Sequence, residues 1–287
     1  MDYTLPLSSE SVSRKVNMEP SLFLGGGRAL MMQVAHPSVA DGVARYSDYR
    51  ADPWNRFFRT MDVMFKLSFG TPEQSQKQAR ILAARHRRVK GTDETGAAYH
   101  ALDPQLLLWV WATLADTSLK VYERIFGALT PAEREQFYQE QIAVAVGCGT
   151  PREVIPNSWD EFQTYIDRVV AQDLVVTPAA MDVRLASMVP PLMTPMRQLA
   201  APINIAVTST LLPASLRAPF DLPDNEATER LASMVFALAK SGRLIPAPIR
   251  QIPSQIQLRR SKPLRVISVG GAPLGSRNLA KRPTVAN

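Results

Sequence analysis

Cysteine is almost absent: the 287 residues hold one, Cys148. That excludes an internal disulfide framework, a four-thiolate cluster and a Cys-x-x-Cys-His attachment. It fits a reducing compartment, so the expected location is cytoplasmic. Histidine is scarce too, with three widely spaced residues, and a zinc site is not expected. No window approaches 18 uncharged apolar residues, so no membrane-spanning helix is expected. Residues 1–18 are polar and mixed in charge and lack the apolar region of a secretory signal. Strand signals are sparse, with no Asn-Gly or Asp-Gly hairpin turn. Also missing are a Gly-x-x-x-x-Gly-Lys-Ser/Thr phosphate loop, Gly-x-Gly-x-x-Gly after a strand, His-Glu-x-x-His and Gly-x-Ser-x-Gly.

Acidic residues are unevenly distributed. Residues 241–287 hold nine Lys/Arg and no Asp or Glu, while the other 240 hold 24 basic and 26 acidic side chains. The net charge of +7 therefore describes a basic tail on a near-neutral body. A basic face on a folded domain is not indicated, and no nucleic-acid partner is expected. The chain divides into an N-terminal arm (1–20), a helical domain (21–242) and a Pro/Arg-rich basic tail (243–287). The tail reads as irregular, packed along the body or touching an acidic membrane surface. Residues 266–269 are its best strand candidate.

The body reads as helices joined by proline-marked turns, which makes the fold class all-α. A buried helix over 21–35 includes Gly25, Gly26 and Gly27, where close backbone approach is expected. His36-Pro37 interrupts it, and a short helix over 38–46 follows. Asp52 as cap and Pro53 at the first helical position start a helix to Phe69. Thr71-Pro72-Glu73 starts the next, to Lys90, and residues 99–103 are a connector. Pro104 opens a long helix to Phe126, closed by Gly127. Capping boxes at Thr130/Glu133 and Ser158/Glu161 start two more. Thr177-Pro178 starts another, ended by Pro190 and Pro191. Asp224 opens the last, over 224–241.

Some residues carry chemistry. Arg56, Arg59 and Thr60 fall at i, i+3 and i+4, on the edge of a stripe continuing through Val63 and Leu67. Buried arginines need partners, so this spacing fits either salt bridges to other helices or an anion site. His86 lies on a helical stripe with Ala79, Leu82, Ala83 and Val89. It fits a satisfied core histidine or a ligand beside space for a flat group. His36, at the helix break, can cap free carbonyls. His100 reads as exposed, and Cys148 as a buried structural thiol. Met31, Met32, Met61, Met64 and Phe65 fit core packing or a deformable apolar pocket.

Four runs taken in order resemble a known family. They are Gly-Gly-Gly-Arg-Ala-Leu-Met-Met-Gln-Val-Ala-His-Pro (25–37), Tyr-Arg-Ala-Asp-Pro-Trp-Asn-Arg-Phe-Phe-Arg-Thr (49–60), His-Arg-Arg-Val-Lys-Gly-Thr (86–92) and Ala-Leu-Asp-Pro-Gln-Leu-Leu-Leu-Trp-Val (101–110). Over residues 20–245 the chain resembles the rubber-oxygenase catalytic-domain family, which includes the latex-clearing protein. The resemblance implies a globin-like helical core holding a non-covalent haem b. It implies His86 as the proximal iron ligand, with Arg56, Arg59 and Thr60 near the haem. His36 becomes a distal residue or second iron ligand. The implied activity is dioxygen-dependent cleavage of a C=C bond in an apolar, isoprenoid-like substrate, with any electron donor unknown.

The chain departs from the family pattern in three places. Arg59 stands where the latex-clearing protein has a lysine able to reach iron, and a guanidinium stays protonated and cannot ligate. The stretch matching that enzyme's glutamate base offers only Asp41. Trp111 stands where many relatives carry histidine. Two competing classes are therefore kept: a non-catalytic haem or lipid carrier, and a helical scaffold docking through its basic tail.

Overall fold

Prolines and small polar caps set most helix starts. Thr71 and Gln74 exchange hydrogen bonds in a full capping box, as do Thr130 and Glu133. Ser158 accepts from the Glu161 N–H, but the Glu161 carboxylate turns to the Asn157 N–H, so only half of that expected box forms.

A computed structural model describes residues 4–47, 49–50, 53–188 and 194–260, with side chains left out at 194–197 and 199. In chain order the helices are α1 (Val12–Asn17), α2 (Gly26–Val34), α3 (Pro37–Tyr46), α4 (Pro53–Phe69), α5 (Pro72–His86), α6 (Pro104–Phe126), α7 (Pro131–Gly147), α8 (Trp159–Gln172), α9 (Pro178–Ser187), α10 (Thr194–Leu211), α11 (Ala214–Arg217), α12 (Glu226–Ser241), α13 (Ala247–Arg250) and α14 (Ile252–Arg259). A hairpin of β1 (Lys90–Thr92) and β2 (Ala98–His100) lies between α5 and α6. The described protein is thus all-α apart from that hairpin. The expected cap Asp52, the helix-ending Pro190 and Pro191, and the strand candidate 266–269 lie outside the described residues.

The buried helix α6 meets α2 and α7 in the core. Trp109 donates from Nε1 to the Met32 carbonyl at 3.1 Å. Trp111, Tyr138 and Phe162 cluster with ring centroids 4.9–6.2 Å apart, and aromatic side chains of this size dominate core energetics. The glycine run lets α2 sit flush on its neighbours. A Cβ on Gly27 would lie 2.0 Å from Thr208 Oγ1 and 3.1 Å from Thr208 Cβ. Thr208 is fully buried and has little room to give. Gly27→Ala is therefore expected to cost about 1–3 kcal/mol through overpacking, read as a lowered denaturant midpoint at unchanged slope. An unchanged midpoint would mean that α2 and α10 yield easily.

Arg28 follows the glycines and is 2% exposed. Its Nη2 pairs with Asp116 Oδ2 at 2.6 Å, Nη1 donates to Thr117 Oγ1 at 2.5 Å, and Nε donates to the Leu211 carbonyl at 2.8 Å. Lys120 meets the other Asp116 oxygen at 2.5 Å. Burial alone would raise the Asp116 carboxyl, but Arg28 and Lys120 outweigh it and hold it below the usual range. One arginine thereby ties α2, α6 and the end of α10 together.

Two local outcomes differ from the sequence expectation. Helix α5 stops at His86, short of Lys90, because Asp93 organises a turn. Its Oδ1 accepts from Thr95 N, Thr95 Oγ1 and Ala97 N. Gly96 takes a positive φ of 88° there, a conformation glycine adopts without strain. Beyond 243 the chain is not simply irregular either: α13 and α14 form, and α14 packs along α4. Arg250 holds them down through Glu19, with Nε–Oε2 at 2.6 Å and Nη2–Oε1 at 2.8 Å. Gln251 adds a bond to the same carboxylate.

Candidate functional site

Helices α4 and α5 form a tight antiparallel pair. The Ser75 hydroxyl donates to the Leu67 carbonyl at 2.7 Å and sets the register. Arg56 and Arg59 lie in the first turns of α4, and His86 is the last residue of α5.

His86 Nδ1, Arg56 and Arg59 find no partner among the described residues. Burial lowers the His86 pKa, and nearby His100 adds to the effect, so the imidazole is neutral at pH 7. Its Nδ1 is buried with no hydrogen-bond partner. Arg56 is lowered by burial and by the adjacent charge of Arg59. Among the described residues no acceptor lies within bonding distance of either guanidinium. The expected salt bridges to other helices are absent there, and the two arginines stand together. Thr60 is exposed, and its Oγ1 donates to the Arg56 carbonyl of its own helix at 3.1 Å.

His36 belongs to a different neighbourhood. It is the N-cap position of α3, its Nδ1 is likewise buried without a partner, and burial lowers its pKa. Asp173, Asp93 and Asp103 pull the other way. No hydrogen bond or charge interaction links it to His86 among the described residues. Asp41 is committed elsewhere: it accepts from Tyr99 Oη at 2.7 Å and from Arg45 Nε at 2.8 Å. Cys148 has its thiol pushed up to about 12 by burial, so it stays protonated at neutral pH and is a poor nucleophile.

Sequence reasoning missed His100 as a structural part of this region. Its Nδ1 accepts from Leu102 N at 3.1 Å, which leaves Nε2–H to donate to the Arg87 carbonyl at 3.3 Å. Half-buried on β2, it ties the loop to the chain just past His86. The only signal was its place after a turn-forming Asp-x-Thr-Gly, which carries none of the usual hairpin dipeptides.

A cavity of about 90 Å³ lies on the other side of α4. Its walls include Phe57, Met61, Met64, Phe65 and Trp111, with Gly25 and Gly26 of the glycine run also on its lining. Met61, Met64 and Phe65 thus line an apolar space, whereas Met31 and Met32 are fully buried in the core. Each water needs about 10–15 Å³ on this measure, so the space exceeds a single water. It is below the roughly 300–1,000 Å³ of sites for larger ligands and too small for a porphyrin. No histidine lines it.

The description "ER-bound oxygenase mpaB/B'/Rubber oxygenase, catalytic domain" matches residues 13–243. The chain belongs to this family. The match spans all the site residues above and ends where the strap of α13 and α14 begins. Two uncharacterized mycobacterial proteins, from Mycobacterium bovis and Mycobacterium tuberculosis, are each 26% identical over 222 residues. Those residues cover 76% of this chain and 87% of theirs. No solved structure matches the chain. Membership of an oxygenase family supports an oxygenase-type function.

Among the described residues, no group of three or more His, Cys, Asp and Glu side chains could hold a bare metal ion. A haem iron, by contrast, needs only one or two protein ligands. A half-buried imidazole whose Nδ1 is unpartnered fits that requirement chemically. Among the described residues no helix is long and apolar enough to cross a membrane.

Proposed function

We propose that this protein is a haem b-dependent oxygenase acting on an apolar, isoprenoid-like substrate. The carrying observation is His86, whose buried Nδ1 lacks a partner; Arg56 and Arg59 on α4 likewise find no acceptor among the described residues. His86 would be the proximal iron ligand, with its second ring nitrogen left for an acceptor that fixes the tautomer. Arg56 and Arg59 would balance the carboxylates of the cofactor, since a desolvated guanidinium gains most from an anion it can bond directly. Thr60 follows on the same turn, and His36 is the candidate for the distal side. When bound, the haem would supply the iron at which dioxygen is activated. The small cavity behind Phe57 would admit only a short apolar part of such a substrate.

One observation favours a second reading, a haem or lipid carrier without turnover. Asp41 is bonded to Tyr99 and Arg45, and Arg59 cannot take the role of a deprotonated lysine, so no free base is evident. The test is an absorption spectrum of protein expressed with haem supplementation, followed by oxygen uptake with a polyprenyl substrate. A Soret band with uptake supports the oxygenase. A band without uptake supports the carrier, and a colourless protein overturns both.

A further inference from the structure

The C-terminal strap exposes apolar side chains that a folded surface normally hides. Ile245, Ile249, Ile252 and Ile256 are each between 45% and 58% exposed, and Leu244 is 87% exposed. Ile249, Ile252 and Ile256 fall at i, i+3 and i+7, a helical stripe across α13 and α14, and Ile245 precedes them in extended backbone. The run from Leu244 to Ile249 contains no polar residue. Scattered exposed leucines need no explanation, but a contiguous stripe marks an interaction surface.

Its charge identifies the partner. From residue 230 to 260 there is no Asp or Glu, and there are six Lys/Arg. Arg250 is spent on Glu19 and Arg230 on Glu226, whereas Lys240, Arg243, Arg259 and Arg260 are exposed and enter no ion pair among the described residues. An apolar stripe flanked by unpaired cations is the pattern of a segment lying in an anionic bilayer surface. The opposite side of the strap packs on side chains that also form the cavity wall. Leu258 packs with Met61 against Met18, Phe65 and Phe69, and Met61, Phe65 and Phe69 line the cavity.

We propose that residues 244–259 form a peripheral membrane-docking face that seats on anionic lipid and brings the cavity to the bilayer surface. This goes beyond the haem reading and does not depend on it. The test is co-sedimentation of the full chain with phosphatidylcholine vesicles, with and without about one third phosphatidylglycerol. Wild type is expected to bind the anionic vesicles at least about tenfold better, less so as salt rises. Ile249→Glu with Ile252→Glu should remove binding while the circular dichroism stays helical. Lys240→Glu with Arg243→Glu, on exposed positions, should weaken it and keep the fold. Wild type that ignores anionic vesicles would overturn the proposal, as would an isoleucine variant that binds like wild type. So would a wild-type dimer that the isoleucine variant converts to monomer, because the face would then be covered by a second copy.

Discussion

His86→Ala is expected to abolish the Soret band of protein produced with haem supplementation, while helical circular dichroism stays as in wild type. The histidine ends α5, is only half-buried, and its side chain makes no hydrogen bond to a described residue, so its loss removes little packing. Altering groups behind a metal ligand already costs about 10–100-fold in affinity, and removing the proposed ligand itself should cost more. Added imidazole should restore a band, since it replaces the lost side chain without rebuilding the helix. If the variant keeps the wild-type band, the iron is not on His86. His36→Ala is the next variant to measure in that event, because His36 carries the other orphaned ring nitrogen.

Asp116→Ala should destabilise the fold by about 3–5 kcal/mol, because it leaves Arg28 buried and uncompensated. Urea unfolding would read this as a lowered midpoint. Replacing both partners by apolar residues of similar volume should recover most of the loss, since the pair then leaves no lone charge behind. The sign with pH follows from the depressed Asp116 value. The carboxylate contributes stability above its unfolded pKa of about 3.9, and that contribution is lost as pH falls through the lower folded value. A midpoint equal to wild type would show that water reaches Arg28.

Much of the helix layout is legible where proline and glycine punctuate it. Pro53 and Phe69 bound α4 as read, and Pro104 and Gly127 frame α6. Asn225 rather than Asp224 caps α12, a one-residue slip between two side chains equally able to cap. The hairpin was not legible, because its turn depends on one aspartate bonding three groups rather than on a turn dipeptide. The strap was hidden for a different reason. Its helices are short and proline-interrupted, and they persist through a tertiary ion pair with Glu19 rather than through local propensity.

The site was legible only in part. Spacing placed Arg56 and Arg59 on one face but could not say whether acids would meet them. His86 stood out through the family resemblance, since its apolar stripe alone suits a core histidine equally well. The Arg28–Asp116 pair was not anticipated. Two charges 88 residues apart in the chain leave no local pattern, and only the glycine-assisted approach of α2 to α6 brings them together.

The Glu19–Arg250 clamp spans 231 positions of the chain. During synthesis, the Glu19 carboxylate waits for its guanidinium until 231 further residues have been added. At the residue synthesis rates of roughly 5–20 per second, that delay is on the order of ten seconds or more. In that interval Phe65 and Phe69 have no Leu258 packed on them, so the nascent protein passes through a stage with this apolar cluster uncovered.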